Sequence, residues 1–214
     1  MKSYDKVFLT GCDEDHMWML PWFVENYKKH NSLPLVFANF GVSEKSLEWC
    51  RDNFHAIMDM SESQEKGWFK KPRSMLSCPS KQTVWLDTDC QVLDNLDGIF
   101  NKLVSNKLGM IEDKPWTKRR GERWYNSGVV GFIDKPMILH QWCHKVKNDP
   151  IVGDQETLHE MLNPITEMTY IHPLPNEYNV LRIQIETDRY EGNKKIIHWT
   201  GRKGKNRIRS MIDG

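Results

Sequence analysis

Short apolar runs that alternate with helical segments are the feature that most constrains this fold. Residues 6–10, 35–38 and 56–58 each read as a short buried strand. Between them, residues 16–30 have the apolar spacing of a helix, and Ser43 is placed to cap the next one. Further strands are expected within 83–93 and at 108–111, 127–133 and 195–199, and further helices at 72–76, 96–103, 136–146, 154–162 and in the basic tail. Strands alternating with helices predict an α/β fold with a mainly parallel central sheet flanked by helices.

Length and composition indicate one globular domain. The chain has 214 residues, without a repeat or a linker-like stretch, and a net charge of +1. A nearly neutral protein has no overall field that would require nucleic acid or an anionic membrane as partner. No stretch is apolar enough to span a bilayer, and the five cysteines are dispersed without a CxxC pair. We therefore expect reduced thiols, a cytoplasmic location, no nucleic-acid partner and no membrane span.

Two aspartates that follow an apolar strand are the most informative polar residues. Asp87 and Asp89 come directly after Trp85-Leu86, and alternation along a strand would turn both to the same side. Ligands of open α/β sheets lie beyond the carboxyl ends of the strands. Two carboxylates at such a place favour Mg²⁺ or Mn²⁺, which can also hold a diphosphate. A polar turn, or an aspartate that caps the helix expected near Leu96, explains an isolated Asp-x-Asp equally well.

Five companion segments occur in a fixed order around this pair. They are Trp68-Phe69-Lys70-Lys71-Pro72-Arg73, Tyr125-Asn126-Ser127-Gly128-Val129-Val130-Gly131-Phe132, Gly153-Asp154-Gln155-Glu156-Thr157-Leu158, Leu174-Pro175-Asn176-Glu177-Tyr178-Asn179 and His198-Trp199-Thr200-Gly201. The ordered set resembles the family 8 retaining glycosyltransferases of GT-A fold, the glycogenin and lipopolysaccharide galactosyltransferase type. The resemblance covers about residues 5–205.

The resemblance implies a single GT-A-like catalytic domain over residues 1–214. A nucleotide-binding half would span about residues 1–93, and a sugar and acceptor half about residues 94–214. The implied activity is metal-dependent transfer of a hexosyl or deoxyhexosyl group from a UDP-sugar to a hydroxyl acceptor on a glycan or glycoprotein, with retention of configuration. The implied cofactor is Mn²⁺ or Mg²⁺.

The metal ligands implied by the resemblance are Asp87, Asp89 and His198, with Asp89 the most direct. A buried structural histidine is the alternative for His198. The end of the first strand, Thr10-Gly11-Cys12, would hold the uracil and ribose, and the substrate site would also include Asp87 and Thr88.

A basic residue before the Asp-x-Asp strand would reach the donor or brace Asp87. Arg73 matches that place, with Lys70 and Lys71 as rivals. After His-x-x-Gly the family usually has lysine and proline, whereas this chain continues Gly201-Arg202-Lys203-Gly204-Lys205 without the proline. For neutralising the diphosphate we expect Lys203 first and Lys205 second.

The sugar would face Asn126 and Ser127, and the catalytic residues would be Asp154 and Gln155. Glutamine is a poor nucleophile, so the resemblance implies a front-face route, in which the Gln155 carbonyl stabilises positive charge at the anomeric carbon and Asp154 holds sugar hydroxyls. Asp154 also suits the N-cap of a helix after Gly153. Asn179 would be mainly structural.

Two other functions remain open from the sequence. A sugar-phosphate nucleotidyltransferase shares the fold but carries a glycine-rich basic loop after the first strand, where this chain has the acidic Gly11-Cys12-Asp13-Glu14-Asp15. A non-catalytic cation- or carbohydrate-binding module would explain the aspartates but not their companions. A zinc site at His140 and His144 is disfavoured because no third ligand is apparent. The charged segment 118–123 is expected to be a solvated, mobile loop, although it lies between the Asp-x-Asp strand and Asn126, where an acceptor could dock.

Overall fold

A computed structural model describes residues 3–214 of the chain. The strands are β1 (Tyr4–Cys12), β2 (Leu35–Asn39), β3 (Ala56–Asp59), β4 (Ser80–Leu86), β5 (Cys90–Val92), β6 (Leu108–Glu112), β7 (Tyr125–Ile133), β8 (Ile171–Pro173), β9 (Val180–Leu181) and β10 (Ile196–His198). The α-helices are α1 (Leu20–His30), α2 (Glu44–Asn53), α3 (Lys70–Ser77), α4 (Lys114–Arg120), α5 (Met137–Asn148), α6 (Asp154–Glu160), α7 (Pro164–Tyr170), α8 (Arg182–Glu186) and α9 (Gly201–Ile212). Short 3-10 segments lie at Glu14–Met19, Gly67–Phe69, Asp97–Lys102 and Asn176–Tyr178.

The central sheet has seven strands in the order β3-β2-β1-β4-β7-β6-β8. β3, β2, β1 and β4 run parallel, as do β6 and β8, while β7 is antiparallel to both of its neighbours. The reversal at β7 places its first residues beside the end of β4, where the amide of Asp87 donates to the carbonyl of Gly128 at 2.8 Å. The predicted mainly parallel α/β fold is confirmed.

A second, three-stranded sheet in the order β5-β10-β9 completes the same end of the molecule. β10 pairs antiparallel with β5, in a register that places His198 opposite Cys90. The amide of Trp199 donates to the carbonyl of Asp89 at 3.0 Å. This small sheet therefore brings a residue near the carboxyl terminus against the turn that follows β4.

Apolar side chains fill both faces of the central sheet, as expected for a largely parallel sheet covered by helices. Along β1, Phe8 packs on one face in a cluster that includes Phe23 of α1. Val7 and Leu9 pack on the other face in a cluster that includes Trp142 of α5. Each cluster buries several aromatic rings, so the sheet is a rigid support for residues at its edge.

Most predicted elements are present, with informative exceptions. The single strand expected within 83–93 is two strands, β4 and β5, separated by a turn at residues 87–89, and the helix expected at 96–103 is a 3-10 segment. The Ser43 cap is confirmed, because its hydroxyl accepts from the amide of Ser46 at 3.3 Å. No helix within residues 3–214 is long and apolar enough to cross a bilayer.

Helix α9 lies unusually close to the end of β10. A Cβ atom added to Gly204 would overlap the backbone carbonyl of Trp199, and Gly201 at the start of the helix has a left-handed φ of 71°. Both positions therefore favour glycine. The same part of α9 carries Lys205, whose Nζ lies 3.4 Å from Oδ2 of Asp89 in the turn after β4.

Candidate active site

A cleft of about 500 Å³ lies where β1 and β4 end and β7 begins. It is lined by residues from nearly the whole chain, among them Gly11, Asp87, Asn126, Asp154, His198 and Lys205. Sites of this kind form at the carboxyl edge of α/β sheets because side chains from several strand ends converge there. The cleft therefore brings together the residues that the sequence predicts for metal, donor and sugar.

Asp87 and Asp89 lie in the turn between β4 and β5, not within a strand. The amide of Cys90 donates to the carbonyl of Asp87 at 3.0 Å and closes this turn. Asp87 is held by the indole of Trp85, whose Nε1 donates to its Oδ1 at 2.6 Å. Both aspartates line the cleft. The prediction that Asp87 and Asp89 face the same site is confirmed. The reason given for it, alternation along a strand, is wrong, because both residues lie in a turn.

His198 joins the two aspartates and is almost completely buried. Its Nε2 lies 3.0 Å from Oδ1 of Asp89 and 3.9 Å from Oδ2 of Asp87. Its Nδ1 lies 3.1 Å from the side-chain oxygens of both Asn126 and Asn179. Oxygen acceptors on that side place a proton on Nδ1 and leave Nε2 turned toward the carboxylates.

Charge compensation in this cluster appears in the pKa values. Burial by itself lowers the pKa of His198, but the Asp89 carboxylate outweighs burial and holds the pKa above its ordinary value. Burial raises the pKa of Asp89, but His198 and then Lys205 outweigh it, so that pKa lies below its ordinary value. The buried Asp89 carboxylate is therefore balanced by positive charge from His198 and Lys205.

The cluster fits a divalent cation. One ligand atom from each of Asp87, Asp89 and His198 lies within 4.8 Å of the others. Two carboxylates and one imidazole suit Mn²⁺, and the amide oxygens that hold Nδ1 fix the ring as an outer shell of ligands does in metal sites. Among residues 3–214 no other group of three histidine, cysteine or acidic residues has this proximity, including the surroundings of His140 and His144.

A second buried charge, Lys71, links the aspartates to the start of α6. Its Nζ lies 3.0 Å from Oδ1 of Asp87 and 3.0 Å from Oδ2 of Asp154, and 3.2 Å from both Ser127 oxygens. Burial alone lowers the pKa of Lys71, but Asp154 and then Asp87 outweigh it, and the pKa lies above its ordinary value. Lys71 is therefore a fixed cation in the wall of the cleft.

The amide of Gln155 is held by three contacts beside the cluster. Its Oε1 accepts from Nδ2 of Asn126 at 3.0 Å and from the amide of Ser127 at 3.2 Å. Its Nε2 lies 3.4 Å from Oδ2 of Asp113. In the free protein both lone pairs of Oε1 are used, so the carbonyl must release at least one hydrogen bond before it can face a substrate.

Asp113 is a site residue that the sequence analysis missed. Its Oδ1 accepts from the amide of Trp116 at 3.0 Å and caps α4, while its Oδ2 also accepts from Nδ2 of Asn126 at 3.3 Å. Burial raises its pKa, and the hydrogen bond from the Trp116 amide only partly offsets this. Its place directly after the strand Leu108–Glu112, which begins with an apolar run, is the signal that could have revealed it, by the argument applied to Asp87.

The structure corrects the expectation about which basic residue before the Asp-x-Asp turn reaches Asp87. Lys71, not Arg73, reaches Asp87; Arg73 lies two residues further along α3 and lines a separate depression with Asp59 and Lys147. Two residues turn a helix by roughly 200°, so the two side chains leave opposite faces. The other rival, Lys70, donates to the backbone carbonyls of Phe40, Met60 and Ser61, at 3.2, 2.9 and 2.9 Å.

In the basic tail, the expected order of Lys203 before Lys205 is reversed. Lys205 lines the cleft and its Nζ lies 3.4 Å from Oδ2 of Asp89, whereas Lys203 is exposed outside the cleft lining. Gly201 lines the cleft.

Most of the remaining residues predicted for substrate binding line the cleft. Gly11, Cys12, Thr88 and Ser127 line the cleft, while Thr10 is fully buried behind it. Burial raises the pKa of the Cys12 thiol. Asp154 does not cap its helix: Gly153 is the N-cap residue, and the Asp154 carboxylate faces Lys71 instead. Asn179 is fully buried and contacts Asn126 and His198, consistent with a structural position.

Comparisons with known proteins give a consistent fold. No protein-family model matches the sequence, and no curated protein sequence matches it. Solved structures do match. The galactosyltransferase LgtC, in complex with donor and acceptor sugar analogs, is 13% identical with a TM-score of 0.65, over 97% of this chain and 95% of LgtC. The chain has the GT-A fold.

Two further structures agree. The glycosyltransferase GlyE of Streptococcus pneumoniae TIGR4 is 18% identical with a TM-score of 0.70, and the match covers 94% of this chain and 55% of GlyE. A glycosyltransferase involved in the glycosylation of the major capsid of PBCV-1 is 14% identical with a TM-score of 0.59, over 98% and 100% of the two chains. The fold implied by the sequence resemblance is therefore confirmed.

The contact between Gly128 and His198 gives a direct test of the cluster. A Cβ atom on Gly128 would overlap the imidazole ring. We expect Gly128→Ala to displace His198 and weaken Mn²⁺ binding by about 10- to 100-fold, as for loss of a residue that orients a metal ligand. Isothermal titration with MnCl₂ measures the affinity.

Gly131→Ala is the matched control, on the same strand. Its Cβ atom would meet the flexible side chain of Leu103 and not the cluster. It should lower the melting temperature without changing the affinity for Mn²⁺. Equal Mn²⁺ affinity in Gly128→Ala and the unmodified protein would contradict the assignment of His198 as a ligand.

Proposed function

We propose that the protein is a metal-dependent glycosyltransferase that moves a hexosyl or deoxyhexosyl group from a UDP-sugar to a hydroxyl of a glycan or glycoprotein, with retention. The observation that carries the proposal is the Asp87, Asp89 and His198 cluster in the same cleft as Asp154 and Gln155. The GT-A fold, shared with several glycosyltransferases, supports it.

Asp87, Asp89 and His198 would hold Mn²⁺ or Mg²⁺. When bound, such an ion supplies Lewis acidity toward the leaving diphosphate. Lys205, 3.4 Å from Asp89, contributes a second positive charge at the same place. Its role is to stabilise the diphosphate as negative charge develops on the departing oxygen.

The donor sugar would lie between this end of the cleft and α6. Lys71 holds the carboxylates of Asp87 and Asp154 on either side of its ammonium, each at 3.0 Å. The second oxygen of Asp154 is then directed to sugar hydroxyls, because Lys71 fixes the orientation of the carboxylate. Asn126 and Ser127 present further hydrogen-bonding groups on the same wall.

Retention is what the family resemblance implies, and the surroundings of Gln155 bear on the route by which it would occur. Asn126, Ser127 and Asp113 surround its amide, and none of them presents an unpaired carboxylate nucleophile. In a front-face route the acceptor hydroxyl enters on the side of the leaving diphosphate, which takes its proton. Gln155 then contributes a carbonyl dipole to the positive charge at the anomeric carbon, after exchanging a hydrogen bond from Asn126 or Ser127.

The two alternative functions fit the structure less well. In a nucleotidyltransferase, the loop after β1 would present cations to phosphates. Here Glu14, two residues after β1, accepts hydrogen bonds from Ser43 and Ser46 at the start of α2, which fixes it in a structural position. A binding module that does no chemistry would have no use for a buried Lys71 between two carboxylates in a cleft. A panel of nucleotide sugars separates the three functions by their products.

Nucleotide binding gives the first test. UDP with Mn²⁺ should raise the melting temperature more than GDP, CMP or ADP with Mn²⁺, by about 2.7 kcal/mol of added stability at a hundredfold excess over Kd. Asp89→Asn should remove the shift while Asp52→Asn, an exposed control on α2, should keep it. Equal shifts with all four nucleotides would contradict uridine recognition, and full activity of Asp89→Asn in chelator would contradict metal dependence.

Product stereochemistry gives the second test. Proton NMR of the first-formed product should show the anomeric configuration of the donor. Gln155→Ala should lower kcat by roughly ten- to a thousandfold, the range for one lost transition-state contact. Gln141→Ala, exposed on α5, is the control and should retain full activity. An inverted product would refute the front-face route even if the metal site is correct.

A further inference from the structure

Helix α4, whose Trp116 lines the cleft, concentrates positive charge beside it. Residues 114–123 contain five basic residues, Lys114, Lys118, Arg119, Arg120 and Arg123, and one acidic residue, Glu122, in a chain whose net charge is +1. Lys114, Lys118, Arg119 and Arg120 are exposed. Within residues 3–214 these four form no salt bridge, whereas Arg123 pairs with Glu167 at 2.9 Å. We call these four residues the α4 basic cluster.

The α4 basic cluster is fixed relative to the predicted reaction centre. Asp113 caps α4 through the amide of Trp116 at 3.0 Å and contacts Nε2 of Gln155 at 3.4 Å. Trp116 itself lines the cleft. A ligand that touches Trp116 is therefore within reach of both the cluster and the reaction centre.

Two of the cations are stacked on aromatic rings. The guanidinium carbons of Arg119 and Arg120 lie 5.4 and 4.8 Å from the centre of the Trp116 ring. Arg120 also lies 5.8 Å from the centre of the Trp124 ring. A guanidinium that stacks on a ring keeps its in-plane N–H donors free, and these can bind a carboxylate or phosphate in pairs.

The arrangement places four exposed cations on one short helix without an acidic partner among residues 3–214. Lys114 and Lys118 are four residues apart on the helix, and like charges at that spacing repel. No carboxylate of residues 3–214 forms a salt bridge with any of the four side chains, and Glu122, four residues after Lys118, lies 3.2 Å from His159 instead. The donor diphosphate is assigned elsewhere, next to Lys205 and Asp89. The unmet charge therefore points to the other substrate.

We propose that the acceptor is an anionic glycan, one that carries a phosphate or carboxylate near the accepting hydroxyl, and that the α4 basic cluster binds this group while Trp116 contacts a sugar ring. The inference rests on the proposed glycosyltransferase function and names its acceptor class. Arg119 and Arg120 supply paired hydrogen bonds, and Lys114 and Lys118 add long-range attraction that weakens with salt. A neutral glycan would contact Trp116 but would offer no charged group to the α4 basic cluster.

Direct binding tests the inference without requiring the correct donor sugar. Four probes are compared by biolayer interferometry in the presence of UDP and Mn²⁺: maltotriose, the same trisaccharide with a terminal 6-phosphate, the same with a terminal glucuronate, and a 12-nucleotide single-stranded DNA. At least one charged trisaccharide should bind tenfold or more tightly than maltotriose. Whether phosphate or glucuronate leads identifies the source of the charge.

Variants assign the effect to α4. Arg119→Glu combined with Arg120→Glu should lower the ratio of charged to neutral affinity tenfold or more, and Lys114→Gln combined with Lys118→Gln should lower it by a smaller factor. The second pair guards against a folding defect, because these lysines stack on no ring. Lys29→Glu combined with Lys45→Glu, exposed on α1 and α2, is the control and should leave the ratio unchanged.

The inference and the proposed function can fail separately. Equal binding of charged and neutral trisaccharides, equal loss in the Lys29 and Lys45 control, or tighter binding of the DNA than of either charged trisaccharide would overturn the inference. None of these results bears on UDP binding or on product formation. Conversely, absence of UDP binding would overturn the proposed function, while selective binding of a charged trisaccharide would still support an anionic-glycan site.

Discussion

The geometry of the candidate site depends on the two-sided restraint of His198. On one side, Asn126 and Asn179 each present a carbonyl oxygen to Nδ1 at 3.1 Å. On the other, Asp87 and Asp89 face Nε2. The amides fix the ring and its proton, and the carboxylates require a cation. Each of these contacts would be weak in water. In a buried site, however, leaving a carboxylate without a partner raises the free energy of the folded state by roughly several kcal/mol. Loss of one contact is therefore expected to weaken the others.

The fold provides this restraint by combining distant parts of the chain. β4 ends in the turn that carries both aspartates, β7 begins beside it with Asn126, and the small sheet returns His198 from near the carboxyl terminus. Lys71 of α3 then bridges the carboxylates of Asp87 and Asp154, with its Nζ 3.0 Å from each. Removing one partner of such a buried pair typically costs about 3–5 kcal/mol, because the other charge is left uncompensated. The carboxylates of Asp87 and Asp154 are therefore held in place before any ligand binds, whereas the Gln155 carbonyl must first release a hydrogen bond.

Some of this could be predicted from sequence and some could not. The alternation of strands and helices predicted the α/β fold, and short motifs selected Asp87, Asp89 and His198, which the structure brings together. The sequence motifs did not reveal which basic residue faces the cleft. The candidates lie two residues apart on one helix, and only the rotation of that helix decides which side chain points toward the aspartates. Lys71 and Lys205 face the aspartates, while Arg73 and Lys203 do not.

The most direct measurement is the location of manganese in crystals grown with MnCl₂ and UDP, from anomalous scattering at the manganese edge. The account predicts one strong peak within bonding distance, about 2.0–2.3 Å, of Asp89, Asp87 and Nε2 of His198, next to the diphosphate. A fully formed UDP complex with no manganese peak at this cluster, or with the peak at another group of residues, would contradict it.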